Sequence, residues 1–451
     1  MKAAIRKYIA NTFLIMNLAK KYKFTFGKKL NWFRENEKMS QSDFFNIKCN
    51  LLQEILSHAV SSVPGYRALS PSLNEFPLQT RDILRDKKTS LLSDAVPTSQ
   101  FVANTTGGST GKPTHYYQDR IYLRYNTALA LRNLLWTGWE YGEPRVKIWG
   151  SSFDVKRQDD LRGRVTNWLN NLSIFPAFDM RPETMQVWHQ KIREIRPTII
   201  EGYVNSLMLF VRFLNENNLP AGDLGLKGII TAAETLQPEQ RILLEKTINC
   251  RVFNPYGSRE MGCIAHECSH GKMHINEDWV NVEITDDLGR TLPDGELGQI
   301  IITHYFNRAM PFIRYAIEDV GAYPQQPEAC SCGLPFRYLE RLEGRIQDLI
   351  ALPNGGFLTG LFFPHLFKEY DVMQYQIIQD VINDLCIFVK VGSKFTDESR
   401  KSLDRRLSKY LPGMDIEIFQ VTEIPTNPSG KFRSAISHVT SPSILSREKP
   451  S

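Results

Sequence analysis

Residues 105–113 read Thr-Thr-Gly-Gly-Ser-Thr-Gly-Lys-Pro, with three glycines, four hydroxyls and a lysine in nine positions. Glycine lets the backbone turn tightly and present consecutive N–H groups, and such groups bind phosphate oxygens. Thr106, Ser109 and Thr110 add hydroxyl donors, and Lys112 adds a charge. The loop is not a Walker A motif, G-x-x-x-x-G-K-[ST]. Thr106 stands where the first glycine belongs, and Pro113 follows Lys112 in place of Ser or Thr. An ordinary polar turn is the plain alternative, but nine residues this dense in donors favour phosphate.

A second group has metal-ligand chemistry. Cys268 and His274 lie five residues apart, and Cys330-Ser331-Cys332 supplies two thiols from one turn. Mixed Cys/His sets suit tetrahedral Zn²⁺, and closed four-ligand sites are structural. Cys263, His266 and His270 are nearby reserves, so spacing leaves the ligand set open, and unrelated reduced thiols remain an alternative. Seven cysteines in 451 residues are no disulfide framework, and Cys49, Cys250 and Cys386 read as small buried hydrophobes.

These groups need a scaffold. Helical patterns over Leu123–Trp136, Met185–Ile195, Ser206–Asn215 and Pro238–Thr247 alternate with strand patterns at Val146–Gly150, Thr198–Ile200, Gly228–Thr231 and Arg251–Asn254. Such alternation predicts an α/β body built on a parallel sheet. From Gly295 to Tyr305 the pattern becomes β-rich. Beyond Asp348, strand patterns at Gln374–Ile378 and Leu385–Val391, a helix over Asp397–Tyr410 and a strand at Asp415–Val421 predict a small α+β domain.

Charge is uneven. The chain carries +6, yet the first 30 residues hold eight Lys or Arg and no acid, so the rest nets −2. A near-neutral body excludes a dedicated nucleic-acid-binding protein. No apolar run reaches the ~18–20 residues that span a bilayer. Ile5, Ile9, Phe13 and Leu18 with basic flanks predict an amphipathic helix, packed on its own domain or lying on an anionic membrane surface. No small-residue cleavage site follows it, which argues against a cleaved signal peptide.

Downstream motifs give the glycine loop a context. Thr231-Ala232-Ala233-Glu234, Asn254-Pro255-Tyr256-Gly257-Ser258-Arg259-Glu260, Arg314-Tyr315 through Asp319, Gly344-Arg345-Ile346-Gln347-Asp348 and Pro425-Thr426-Asn427-Pro428-Ser429-Gly430-Lys431 follow in that order. Together with residues 105–113 they resemble the ordered motifs of the adenylate-forming superfamily of acyl- and aryl-CoA ligases, peptide-synthetase adenylation domains and luciferases. The Cys/His set, with Gly271-Lys272-Met273-His274-Ile275 and Cys330-Ser331-Cys332-Gly333, resembles zinc-containing members of its phenylacetate–CoA ligase branch, which includes capsule-polysaccharide-associated proteins.

The resemblance implies roles. Thr106, Gly107, Gly108, Ser109, Thr110, Gly111 and Lys112 would hold the β- and γ-phosphates of ATP. Ala233, Glu234, Tyr256, Gly257 and Ser258 would contact the nucleotide, Asp319 the ribose hydroxyls, with help from Arg345. Glu260 would hold Mg²⁺, and Lys431 would bridge the substrate carboxylate and the α-phosphate. Trp149, Gly150, Tyr203 and Ser206, with Glu201 and Gly202, are the expected acyl pocket, suited to an aryl or arylacetic acid. Cys268, His274, Cys330 and Cys332 would hold structural Zn²⁺. Two departures stand out. Arg259 replaces the Thr common beside the Mg²⁺-binding Glu, and 349–356 lacks the basic-glycine pattern of CoA ligases.

The expected organisation is an N-terminal basic amphipathic segment (1–30), a large multi-subdomain adenylation body with parallel sheet and β-rich subdomain (31–348), a small mobile C-terminal domain (349–440) on a hinge at Asp348, and a disordered tail (441–451). The expected reaction forms acyl-AMP and pyrophosphate from a carboxylic acid and ATP, then passes the acyl group to CoA or carrier-bound pantetheine. Transfer to a carrier protein or sugar in polysaccharide biosynthesis is the alternative, and a catalytically silent scaffold a third. No nucleic-acid partner is expected. The expected location is the cytoplasm, with residues 1–30 able to contact the inner membrane surface.

Overall fold

The computed structural model describes residues 25–106, 114–149, 161–177, 180–345, 350–353, 357–358, 362–367, 369–424 and 434–439. By contacts the chain divides into two compact units. One comprises Met1–Asn281, Thr303–Arg314 and Glu328–Tyr338, and the other Val282–Ile302, Tyr315–Pro327 and Leu339–Ser451. The N-terminal segment before residue 25, the expected hinge Asp348 and the tail 441–451 lie outside the described residues.

The first unit holds a five-stranded sheet in the order β4-β3-β5-β6-β7. Its strands are β3 (Arg145–Trp149), β4 (Leu172–Pro176), β5 (Ile199–Tyr203), β6 (Gly228–Ala232) and β7 (Arg251–Phe253), all parallel. The expected parallel sheet is therefore present. Strand β4 was not anticipated, being a five-residue edge strand ending in proline with no alternation to reveal it.

The helices between strands carry clear end signals. Pro182 and Pro238 occupy first turns, where a missing N–H costs nothing, and Arg196 and Asn249 close the helices in left-handed conformation. These are α4 (Pro182–Ile195) and α6 (Pro238–Ile248), and between them α5 (Val204–Glu216) buries Leu207, Phe210, Val211 and Leu214. The resulting core joins Val146, Ile148, Ile200, Ile229 and Val252 of the sheet to Trp188, Ile192 and Leu244 of the helices.

Helices α1 (Thr25–Asn36), α2 (Gln41–Ser62) and α3 (Arg120–Trp136) belong to the same unit. Arg132 of α3 is fully buried, and its guanidinium reaches both carboxylate oxygens of Asp278 (2.9 and 3.1 Å) and the side-chain oxygen of Asn276 (2.7 Å). It also lies against the rings of Phe33, Trp136 and Phe336. Asn36 donates to the same Asp278, and Trp136 donates to Glu37, so α1 is tied to α3 through polar groups as well as rings.

Hairpin strands β1 (Phe101–Thr106) and β2 (Thr114–Asp119) run into α3. Asp119 caps that helix by accepting from the Tyr122 N–H at 2.7 Å. Strands β8 (Pro255–Ser258), β9 (Gly262–Glu267), β10 (Met273–Ile275) and β14 (Tyr338–Leu339) form a second sheet, in the order β14-β10-β9-β8.

A third sheet orders as β11-β12-β13-β15, from β11 (Val280–Thr285), β12 (Gly298–His304), β13 (Tyr315–Ala322) and β15 (Arg341–Arg345). Strands β16 (Ile350–Ala351) and β17 (Phe357–Leu358) pair briefly. The C-terminal sheet, β20-β19-β18-β21, comprises β18 (Val372–Gln379), β19 (Asp384–Val391), β20 (Asp415–Gln420) and β21 (Ala435–Ser437). Helix α7 (Asp397–Tyr410) buries Leu403 and Leu407 in the same core as Ile377, Ile387 and Val389. The α+β pattern expected here is observed, with β21 added as a short parallel edge strand. Among the described residues no helix is long and apolar enough to cross a membrane.

Breaking a buried ion pair from one side strands the other charge. Replacing Arg132 by Leu should therefore lower stability by about 3–5 kcal/mol, read from the urea unfolding midpoint. A loss under ~1 kcal/mol would show the pair to be structurally idle.

Candidate active site

The glycine-rich loop is the connection of the β1–β2 hairpin. Residues 107–113 lie outside the described residues, as do Gly150 and Lys431, and the side chains of Thr106 and Arg345. Their neighbours are defined. Six registered pairs, from Phe101 opposite Asp119 to Thr106 opposite Thr114, close the hairpin below the loop.

Glu260 follows β8, and its residue is 4% exposed. Its backbone is gripped by the hairpin. Gln118 Nε2 donates to the carbonyls of Arg259 (3.2 Å) and Glu260 (3.1 Å). Asn104 donates to Gln118 Oε1 at 2.8 Å, and the Tyr122 hydroxyl donates to the Glu260 carbonyl at 3.2 Å. Burial, the neighbouring Tyr116 and the charge of Glu260 together push the Tyr122 phenol well above its ordinary range. Arg259 is exposed, unlike the buried Glu260 beside it. Sequence reasoning missed Gln118 and Asn104. Asn104 lies opposite Tyr116 and Gln118 opposite Val102, so the two meet diagonally across the hairpin and no sequence motif marks them.

Tyr256 is buried on β8, opposite Ala265 of β9. A Cβ on Gly257 would come within 2.2 Å of the Gly262 carbonyl oxygen, so the close approach of the two strands requires glycine there. At the end of β6, Ala233 adopts φ +64°, a left-handed conformation that an alanine enters only under constraint. The next residue, Glu234, accepts from the backbone N–H of Asn205 at 2.7 Å and from its side chain at 3.2 Å. Thr231 donates to Asn254 at 2.8 Å, joining two further motif segments.

Trp149 and Tyr203 end adjacent parallel strands, and their rings stack at 4.7 Å with a 26° interplanar angle. On the row below, Lys147 pairs with Glu201 at 2.8 Å. Ser206 is buried in the first turn of α5. In the second unit, Asp319 of β13 lies directly opposite Arg345 of β15, so the two residues expected at the ribose are cross-strand partners. Arg314 and Glu318, which bracket that motif, also have positive φ, +48° and +70°.

The Cys/His set assembles within the first unit. The donor atoms of Cys268, His274, Cys330 and Cys332 all lie within 4.8 Å of one another. Cys268 Sγ is 3.8 Å from Cys330 Sγ, and Cys332 Sγ is 3.3 Å from His274 Nε2. Tetrahedral ligands at metal–sulfur bonds of ~2.3 Å sit about 3.8 Å apart, so the donors fit a four-coordinate metal. His274 Nδ1 bonds the Phe336 carbonyl at 2.8 Å, which turns Nε2 toward the thiols. Burial and the neighbouring thiols hold the Cys332 thiol up at about 12, a crowding that a bound cation would relieve. The reserve candidates sit elsewhere. Cys263 bonds the Ala265 carbonyl, His266 that of Glu267, and His270 the Ser269 hydroxyl.

Residues 350–438 match the family model described as the CapK C-terminal domain. Protein CapK of Staphylococcus aureus is 23% identical over 414 residues, covering 88% of this chain and 87% of that protein. The phenylacetate-coenzyme A ligase of Pseudomonas putida is 26% identical over 318 residues, covering 66% of this chain and 69% of the ligase. The chain is thus similar over most of its length to CapK and over about two thirds of it to phenylacetate–CoA ligases. Its fold is shared with solved CoA ligases. A 2-hydroxyisobutyryl-CoA ligase, solved in the postadenylation state with an acyl-AMP, superposes with a TM-score of 0.71 at 17% identity, over 90% of this chain and 91% of that one. These similarities agree with the resemblance carried by the ordered motifs.

Beside the Glu260 segment, His304 is fully buried against Tyr122 and Trp279, its Nδ1 accepting from the Phe306 N–H at 3.0 Å. Burial pushes it down to about 3, and His266 down to about 4. The unfolded chain takes up protons at these histidines near the ordinary 6.5, well before the folded chain does. Their contribution to stability is thus complete above pH ~6.5 and lost progressively toward the folded values. The urea midpoint should fall between pH 7 and pH 5, and fall less in His304→Gln; equal slopes would contradict this assignment.

Proposed function

We propose that this chain activates a carboxylic acid with ATP to acyl-AMP, with release of pyrophosphate, and then transfers the acyl group to the thiol of CoA. The observation that carries the reading is the grip of the hairpin bearing the glycine loop on the backbone of Glu260. It ties the turn of Glu260, a hard oxygen donor, to the strands that flank residues 107–113. Glu260 has the oxygen chemistry that Mg²⁺ prefers, and its backbone is fixed before any ligand arrives.

In the proposed reaction a carboxylate oxygen attacks the α-phosphorus and the bond to the bridging oxygen breaks, so pyrophosphate leaves. Residues 106–112 would hold the leaving phosphates, and Lys431 would meet both the carboxylate and the α-phosphate. Mg²⁺ on Glu260 would supply charge neutralisation. Tyr256, Ala233 and Glu234 would frame the base, and Asp319 with Arg345 the ribose. The thiol then attacks the acyl carbon and AMP departs.

The stacked Trp149–Tyr203 pair supports an aryl or arylacetic acid, since aromatic faces recognise flat rings. A second reading, transfer to a carrier protein or sugar in polysaccharide biosynthesis, draws support from the broader match to CapK, 88% of the chain against 66% for the ligase. Cys268, His274, Cys330 and Cys332 would hold a structural Zn²⁺ that clips the β9–β10 hairpin to the 330–332 turn.

The experiment is pyrophosphate release over a panel of aryl and alkyl acids, with and without CoA. With an accepted acid, Lys431→Ala should lower ATP–pyrophosphate exchange by about 10²-fold or more, while the melting temperature holds. Undiminished exchange in that variant contradicts the assignment. Metal analysis should find about one zinc per chain, and Cys268→Ser should lower both zinc content and melting temperature. A metal-free native protein of unchanged stability would remove zinc from the account.

A further inference from the structure

The Gln118 amide has three directional hydrogen-bonding uses, and all converge on one function. Its Oε1 accepts from Asn104, and its Nε2 donates at once to the carbonyls of Arg259 and Glu260. The side chain is buried, at 3% residue exposure, so these bonds have no competing water. Asn104 decides which way the amide faces. With its donor pointed at Oε1, only Nε2 can point at the two carbonyls.

The strand that carries Gln118 is itself immobilised on several sides. Asn307 donates to the Tyr117 carbonyl at 2.9 Å. Asp119 accepts from the backbone N–H groups of Arg308 at 2.7 Å and Ala309 at 3.2 Å, while its other oxygen caps α3. Gln118 is therefore a rigid arm, and the peptide units it holds belong to Arg259 and Glu260. Tyr122 adds a second donor to the Glu260 carbonyl from α3. A β-bulge between Tyr256 and Gly257 shifts the β8–β9 register just before this segment, so the turn borrows its order from the hairpin.

We propose that Gln118, oriented by Asn104, is a positioning residue that fixes Glu260 for its divalent cation. The inference rests on the adenylation reading for the identity of the cation's nucleotide partner. It makes Gln118 an outer partner of the metal ligand, acting through the backbone rather than touching substrate. A merely structural Gln118 would change stability alone, whereas a positioning Gln118 changes how strongly Mg²⁺ promotes nucleotide binding.

The test uses the full chain and Gln118→Met, which keeps length and removes every hydrogen bond. Hydrogen exchange of the free protein should quicken at the amides of 259–262. By calorimetry, metal-free ATP should bind within about 2-fold of wild type, while the enhancement by Mg²⁺ should drop by about 10-fold, the usual scale for a lost outer-shell partner. A folded Gln118→Met with unchanged Mg²⁺ enhancement overturns the inference. If that variant does not fold, the half-buried Asn104→Leu, which frees the amide to turn over, should lower the enhancement about 3-fold, and no change there overturns it equally. Wild type that binds no Mg²⁺–ATP overturns the adenylation reading and this inference together; wild type that binds it, with unaffected variants, overturns this inference alone.

Discussion

A single buried amide, that of Gln118, holds the turn that carries Glu260. Activating one anion with a polyanion requires cationic and donor groups that are already in place when charge develops, because reorganising them during the reaction would raise the barrier. Here the turn carrying the acid is short, follows a bulge and has no helix of its own to hold it. Its carbonyls are instead held by Gln118 and Tyr122, which stand at the end of the glycine-loop hairpin and the start of α3.

Helix α3 extends that order through the first unit. Its first turn is capped by Asp119 and contributes Tyr122. Its last turns contribute Arg132, buried against Asp278, and Trp136, whose ring lies 6.3 Å from that of Phe336. The Phe336 carbonyl in turn orients His274 in the Cys/His cluster. Glu277, next to Asp278, accepts from Lys48 of α2 and from the Arg337 N–H. One helix thus touches the hairpin, the acid-bearing turn and the ring beside the Cys/His cluster.

Much of this was readable beforehand, for physical reasons that differ by element. Helix α6 announces itself by Pro238 at its start, whereas the sequence pattern of α4 begins only at Met185, three residues after Pro182; runs such as Ile199-Ile200 and Ile229-Ile230 mark the central strands because they can only be buried. The four Cys/His residues could be chosen from spacing and resemblance, but Cys263, His266 and His270 could not be excluded. Excluding the reserves needed the β9–β10 register, which pairs His274 with His266 yet leaves Cys268 at the turn beside the 330–332 segment. Gln118 was illegible because its importance lies in what its amide faces, 141 and 142 positions away in sequence. The partnership of Asn205 with Glu234 was hidden for the same reason. Long-range polar contacts leave no periodicity behind, whereas apolar faces do.

The central claim is that the bond made to ATP joins the carboxylate to the α-phosphorus. Supplying an accepted acid labelled with oxygen-18 in its carboxylate, and recovering AMP after acyl transfer, tests it directly by mass spectrometry. The account predicts one labelled oxygen in the phosphate of AMP. Label found in inorganic phosphate, with ADP as the nucleotide product, would mean attack at the γ-phosphorus and would contradict it.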